Sequence, residues 1–351
     1  MLINAITFIV IFTAIALLHE FGHFIYAKRS GIRVFELGIG LGPRLLSFTK
    51  FGTIFSLNLI PILAFVRIAG EGEDKEDALC LDNEKYSFKT PFQKLKTLAA
   101  GPIMNILSAF LVLAIIFIFI GIPSGISNEI GSISSGSPAE KAGIKVGDKL
   151  LTINGKTFPN MEKAIDFIHK NANKSLVLTL KRGQQTLQIK AAPILDKKLN
   201  VGLLGFKPNA IYKRVSPIKA IYQSCSQTLS MIYMTLSVLS QLIIGKIPLS
   251  SLVGPIGLAD VVGTYAQSGL YSITWLFAFI SINIGVLNLL PIPALDGGRI
   301  VFALLELFRG KAIDQKLEMK INQWGMIALL TLMAFVSIND IHRLLGRFLR
   351  F

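Results

Sequence analysis

The sequence predicts a polytopic α-helical membrane protein of about four transmembrane helices, with a membrane-associated β-hairpin and one inserted α/β domain. Three observations carry this. Hydrophobic residues make up 52% of the 351 residues and charged residues only 16%, on the membrane side of globular composition. Four apolar runs are long enough to cross a bilayer. Between the second and third runs the chain turns polar, and short alternating segments broken by glycine and proline replace the long runs.

Residues 1–121 read as the first half of a membrane core. The run at 2–27 has no Lys or Arg before Lys28. It therefore lacks the basic start of a signal peptide and reads as a retained span, with Lys28 and Arg29 at its cytoplasmic end. A mixed loop fills 29–96, in which Gly38, Gly40, Gly42 and Pro43 break any helix. From Thr53 to Leu59 the pattern alternates. Phe55, Leu57 and Leu59 share one face, and Ser56 and Asn58 share the other, which is a strand signal. Leu63 to Ile68 is its expected partner. The pair is unusually apolar and is expected to dip into the membrane surface. Glu71 to Glu84 reads as an acidic, solvated loop. The second span, 98–120, carries Gly101-Pro102 and Asn105, tolerable at membrane depth only where protein buries them.

Residues 122–200 form the inserted domain. Glu129–Ile133 and Lys149–Asn154 read as strands, Ser137–Gly143 and Met161–Asn171 as short helices, and Ser175–Lys181 with Gln185–Ala191 as a closing hairpin. Residues 201–270 hold a linker and an amphipathic helix at 216–245. Ile218, Ile221, Cys225, Leu229, Ile232, Leu236, Leu239 and Ile243 recur at three and four, opposite Ser, Gln and Thr. A helix lying in the membrane interface is expected, with a true span as the alternative. Residues 271–351 form the second half of the core, with spans at 271–295 and 322–339. Arg299, Arg309, Lys311, Lys316 and Lys320 between them mark a cytoplasmic loop.

The net charge of +15 comes without a basic stripe interleaved with aromatics or a nucleic-acid motif. Anionic lipid is the expected partner, and nucleic acid is not. Two cysteines, Cys80 and Cys225, form neither a disulfide framework nor a metal knuckle.

The chemistry lies in His19-Glu20-Phe-Gly-His23. Residues four apart on a helix share a face, one turn apart. Two imidazoles there can hold one zinc ion, and the glutamate beside the first can take a proton from water held at the site. Ionisable groups inside a span are expensive and normally kept for function. A catalytic zinc keeps three protein ligands and one open position. His169 falls in the polar domain and His342 beyond the last span. Asp296, after Pro291 and Pro293 and before Gly297-Gly298, is the candidate third ligand. A helix N-cap is the other reading of it.

Together with Asn288-x-x-Pro291-x-Pro293-x-x-Asp296-Gly297, the His-Glu-x-x-His element resembles the site-2 protease family. Gly101-Pro102-x-x-Asn105 and Gly254-Pro255-Ile256-Gly257 look like two further elements of it, and the order holds along nearly the whole chain. The bacterial regulator-of-sigma-E type fits best. Ser137-Pro-Ala-Glu-Lys-Ala-Gly143 through Gly147-Asp148 to Asn154-Gly155 resembles a bacterial PDZ domain, with room for one copy.

The resemblance implies an intramembrane zinc metalloendopeptidase of the bacterial inner membrane, its PDZ-like domain on the periplasmic or extracellular side. Its metal ligands would be His19, His23 and Asp296. Glu20 would be the base, and Asn288 would bind the substrate backbone or oxyanion. Asn105 and the strand residues Phe55, Leu57 and Leu59 would contact an unwound substrate, the strand by β-addition. Simple packing on the spans is the alternative for that strand. Expected substrates are single-span membrane proteins, such as an anti-sigma factor, or signal-peptide remnants. Two other classes are open to discrimination. A PDZ-containing scaffold with structural zinc would want a closed, four-ligand site. A zinc transporter would want polar residues along all its spans, and the second and fourth are nearly bare.

Overall fold

Unbroken runs of Leu, Ile and Phe make the first segment helical: α1 spans Leu2–Arg29. In chain order there follow β1 (Val34–Lys50), β2 (Thr53–Ile68), α2 (Pro91–Phe119), β3 (Ile122–Ile133), α3 (Pro138–Lys141), β4 (Lys149–Ile153), α4 (Met161–Lys170), β5 (Leu176–Arg182), β6 (Gln185–Ala191), β7 (Ile194–Asp196), β8 (Val201–Leu203), β9 (Phe206–Lys213), α5 (Pro217–Ile243), α6 (Pro255–Ala266), α7 (Leu270–Leu289), α8 (Asp296–Arg309) and α9 (Gln315–Phe348). This computed structural model describes residues 2–71, 75–196, 200–248, 251–266 and 269–348. The chain divides into two compact units, one of residues 1–116 with 221–351 and one of residues 117–220.

Among the described residues of the first unit, four helices are long and apolar enough to cross a membrane: Ala5–Arg29, Pro91–Phe119, Leu270–Leu289 and Lys316–His342. α7 ends at Leu289, short of the expected 295, because Pro291 and Pro293 cannot continue a helix. α9 runs well past the expected 322–339 at both ends.

The region after α1 departs from expectation. Leu63–Ile68 does not pair with 53–59. Residues 64–67 pair with 36–39 of β1, and 54–57 pair with 36–39 on one side and with 46–49 on the other. The segment 34–50 thus supplies two of the four strands. Gly38 permits this, because Phe65 Cζ occupies the place of a Cβ there. The far end is apolar and exposed at Leu45, Leu46, Phe48 and Phe51. Near its base the buried Glu36 carboxylate accepts from Arg44 at 2.5 Å and from Ser56 Oγ at 2.6 Å. The acidic stretch that follows is tied down and not merely solvated. Arg67 pairs with Glu76, Arg299 pairs with Glu71, and Gly70 N–H donates to Asp77. Residues 72–74 of that stretch lie outside the described residues.

α5 inverts the usual logic of an amphipathic helix. Its buried positions are Ala220, Ser224, Thr228, Met231 and Thr235, while Ile218, Leu229, Leu236 and Ile243 are exposed. Small polar residues face protein, where Thr235 Oγ1 lies 3.1 Å from Asn283 Oδ1 of α7. In water that arrangement would waste the apolar surface. α6 begins at Gly254-Pro255-Ile256-Gly257, where the Gly257 N–H donates to the buried Asp340 carboxylate of α9 at 2.8 Å. Ile11 and Ile15 of α1 pack with Val262 of α6 and with Leu276 and Ile280 of α7.

The second unit is a five-stranded sheet of order β6-β5-β4-β3-β9. Met161, Ala164 and Ile168 of α4 join Ile130, Ile153 and Leu178 in its core. Ser137 caps α3 and Asn160 caps α4. The unit reaches beyond the expected 122–200. β9 returns to pair antiparallel with β3, from Ile122↔Lys213 to Ile133↔Phe206. Buried Asp148 holds Arg182 at 2.7 and 2.8 Å.

Candidate metal centre and active site

Two helices must come unusually close to build the site, and glycine lets them. A Cβ on Gly22 of α1 would stand 2.8 Å from the Ala100 carbonyl carbon of α2, and one on Gly101 would collide with the His23 imidazole. Only hydrogen fits at either position, so small residues at the crossing set the approach of the helices. His23 is then fixed from α2. Its Nδ1 lies 2.8 Å from the Thr97 carbonyl, which can only accept. Nδ1 therefore carries the proton, and Nε2 is left bare for a metal.

Asp296 arrives from the opposite side. The turn after α7 is held in place, since Ala294 takes a positive φ of 77° and its N–H donates to Asn322 Oδ1 of α9 at 3.2 Å. Such backbone persists only where its surroundings enforce it. Gly297 and Gly298 are buried, packed on the carbonyls of Leu290 and Ile292. Asp296 does not cap α8. The cap position belongs to Leu295, and Asp296 is the first residue of the helix.

The three candidate ligands meet. His19 Nε2 lies 3.1 Å from His23 Nε2 and 3.1 Å from Asp296 Oδ2, and His23 Nε2 lies 3.4 Å from the same oxygen. That oxygen is buried without a hydrogen-bond partner. Zinc bonds of about 2.0–2.2 Å in a tetrahedral arrangement separate ligand atoms by about 3.3 Å. The triangle and the orphaned oxygen both fit such an ion. Among the described residues this is the one His/Cys/Asp/Glu group of three or more placed to hold a metal. His169 lies on α4 in the other unit, and His342 is exposed near the end of α9.

Glu20 follows His19 into a cavity of about 300 Å³, lined also by Phe65, Val66, Tyr86 and Arg299. Of β2, the residues Phe65, Val66 and Ile68 line this cavity. Phe55 is stacked on Phe48 and packed edge-on against Phe24, and Leu59 is exposed. Phe55, Leu57 and Leu59 do not line this cavity. The strand carrying Phe55 and Leu57 is paired on both sides and has no edge to offer. Asn105 also differs from expectation. It is fully buried, with its amide 3.2 Å from His19 Nδ1. Asn288 lies in the last turn of α7, half-buried and outside the lining. Thr97, Asn322 and Arg299 also surround the site, beyond the residues singled out in the sequence.

Helices of membrane-crossing length around a His-His-Asp triad define a class, that of a helical membrane protein with a His-His-Asp cluster between its helices. The chain belongs to peptidase family M50, the site-2 protease family, whose model matches residues 7–332. The regulator of sigma-W protease RasP of Bacillus subtilis is 30% identical, over 97% of this chain and 99% of that protein. The zinc metalloprotease RasP of Bacillus licheniformis is 29% identical over the same shares. Among solved structures, the PDZ domain of an SdrC-like protein from Listeria monocytogenes is 24% identical, with a TM-score of 0.22, over 24% of this chain and 86% of that domain.

Proposed function

We propose that the protein is an intramembrane zinc metalloprotease of the bacterial inner membrane, cutting within or near the transmembrane segments of single-span membrane proteins. The observation that carries this is the meeting of His19, His23 and Asp296 at 3.1 to 3.4 Å, with Glu20 beside them, among helices long enough to cross a bilayer. Family membership and the names of the two relatives support it.

His19, His23 and Asp296 hold the ion. When bound, zinc supplies a Lewis acid that polarises a carbonyl and acidifies water. Glu20 takes the proton of the attacking water and returns it to the leaving amine. Asn288 is the candidate donor to the substrate backbone or oxyanion. A helical substrate hides its carbonyls in hydrogen bonds and must unwind to be cut. The edge at 64–67 is the candidate for holding it extended, in place of 53–59, because its Phe65 and Val66 line the cavity and it lacks a second strand partner among the described residues. The name of the Bacillus subtilis relative favours a regulatory substrate such as an anti-sigma factor, and signal-peptide remnants are the second substrate class. The unit at 117–220, read as PDZ-like from its sequence motif, controls access on the non-cytoplasmic side.

A catalytically inactive scaffold with structural zinc is the competing reading. It would need a fourth protein donor, and the cluster offers three among the described residues. Metal analysis of the purified protein tests the proposal. About one zinc per chain is expected, mostly lost in Asp296→Ala. Full zinc content in that variant would remove Asp296 from the ligand set.

A further inference from the structure

Asn105 has an amide that the triad does not use, and its surroundings are specific. It is fully buried on α2 with its Nδ2 3.2 Å from His19 Nδ1, while its Oδ1 is buried with no partner. His19 presents Nε2 to His23 and Asp296. If Nε2 is the atom given to the metal, it must be bare, and the ring proton then sits on Nδ1. A protonated Nδ1 needs an acceptor, and an amide nitrogen is not one. Turning the Asn105 amide by 180° about its Cβ–Cγ bond places the unpartnered Oδ1 on Nδ1–H. One rotation matches donor to acceptor at Nδ1.

The residue is also anchored. The Asn105 carbonyl accepts from Ser108 Oγ of its own helix at 2.9 Å and from Ser281 Oγ of α7 at 2.8 Å. Ser281 is itself fully buried. Gly285, one turn on, lies so close that a Cβ there would stand 3.3 Å from Asn105 Cβ. The amide is thus held between the helix that carries His19 and the helix that leads to Asp296. His23 receives the same service from a backbone carbonyl at Thr97, so each imidazole has its own partner on α2.

We infer that Asn105 is a positioning residue for the metal centre. Its side-chain oxygen accepts from His19 Nδ1–H, fixes the ring in the tautomer that gives Nε2 to the metal, and does not contact substrate. This rests on the metal reading above. Outer partners of metal-bound histidines typically contribute about 10- to 100-fold in affinity.

The test is zinc affinity of the full-length protein in detergent, by competition with a chelator, for wild type, Asn105→Leu and Asn105→Asp. Asn105→Leu keeps the branching at Cγ and removes the acceptor, and should weaken zinc about 10- to 100-fold. Asn105→Asp keeps an acceptor and should stay within about threefold of wild type, by the same outer-partner logic. Equal loss in both variants, or none in Asn105→Leu, overturns the inference. The wild-type protein gives a readout independent of how the variants fold. With 15N-labelled histidine and zinc bound, NMR should show His19 protonated at Nδ1, and a bare or metal-bound Nδ1 overturns the inference. A wild-type protein that binds no zinc would instead sink the metal reading itself.

Discussion

Gly101 of α2 and His23 of α1 are in direct contact, and the imidazole fills the space that a side chain at 101 would need. The contact explains the Gly-Pro pair at membrane depth better than any loosening of the helix does. It also makes a prediction. Gly101→Ala should displace the His23 ring, which is pinned on its other side by Thr97. Zinc affinity should fall at least tenfold, in the range seen when support around a metal ligand is lost. Chelator competition checks this, and unchanged affinity would mean that the crossing relaxes freely.

The boundary between cavity wall and interior strand yields a second expectation. A cysteine at Val66, which lines the cavity, should form a disulfide with a cysteine in a bound substrate segment, after Cys80 and Cys225 are replaced by serine. A cysteine at Leu57 should not, because 54–57 is paired on both sides. Cross-linking at Leu57 alone would restore 53–59 as the substrate strand.

Much of this site was legible in the sequence, and the reasons differ by residue. His19, Glu20 and His23 stood out because ionisable groups are rare inside an apolar helix. Asp296 stood out as the third ligand that two histidines lack, in a turn of prolines and glycines after the third run. Thr97 had no such signal. It contributes a backbone carbonyl, which every residue has. Leu37, Ile39 and Leu41 alternate, but Gly38, Gly40 and Gly42 between them read as breakers, which hid the pairing of 36–39. Periodicity showed that α5 has two faces but not which one meets protein, since burial in lipid reverses the assignment that holds in water.

A third prediction concerns pH. In the second unit the Arg182 guanidinium holds the Asp148 carboxyl below the ordinary carboxylate range, against the opposing effect of burial. A folded-state pKa below the unfolded value gives stability that is present above the unfolded value and lost as pH falls through the folded one. The unit should therefore weaken below about pH 3.9. Asp148→Asn should flatten that dependence and lower stability at neutral pH by about 1–3 kcal/mol. Hydrogen exchange of β4 and β5 in the full chain reads both effects. An unchanged acid slope in the variant would assign the sensitivity to other groups.

Lys28 and Arg29 at the end of α1 predict the orientation. A cysteine at exposed Asn173 should react with an impermeant maleimide from outside the inner membrane. One at Asp82 should react only after permeabilisation, with the native cysteines again replaced by serine. The opposite pattern would invert the topology.

The central claim is that Glu20 is the base and not a ligand at a zinc centre. The most direct measurement takes wild type and Glu20→Gln, determines zinc content in both, and follows cleavage of a single-span membrane substrate in proteoliposomes. The account predicts about one zinc per chain in each protein, with cleavage by wild type only. Near-normal cleavage by Glu20→Gln with its zinc in place would contradict it.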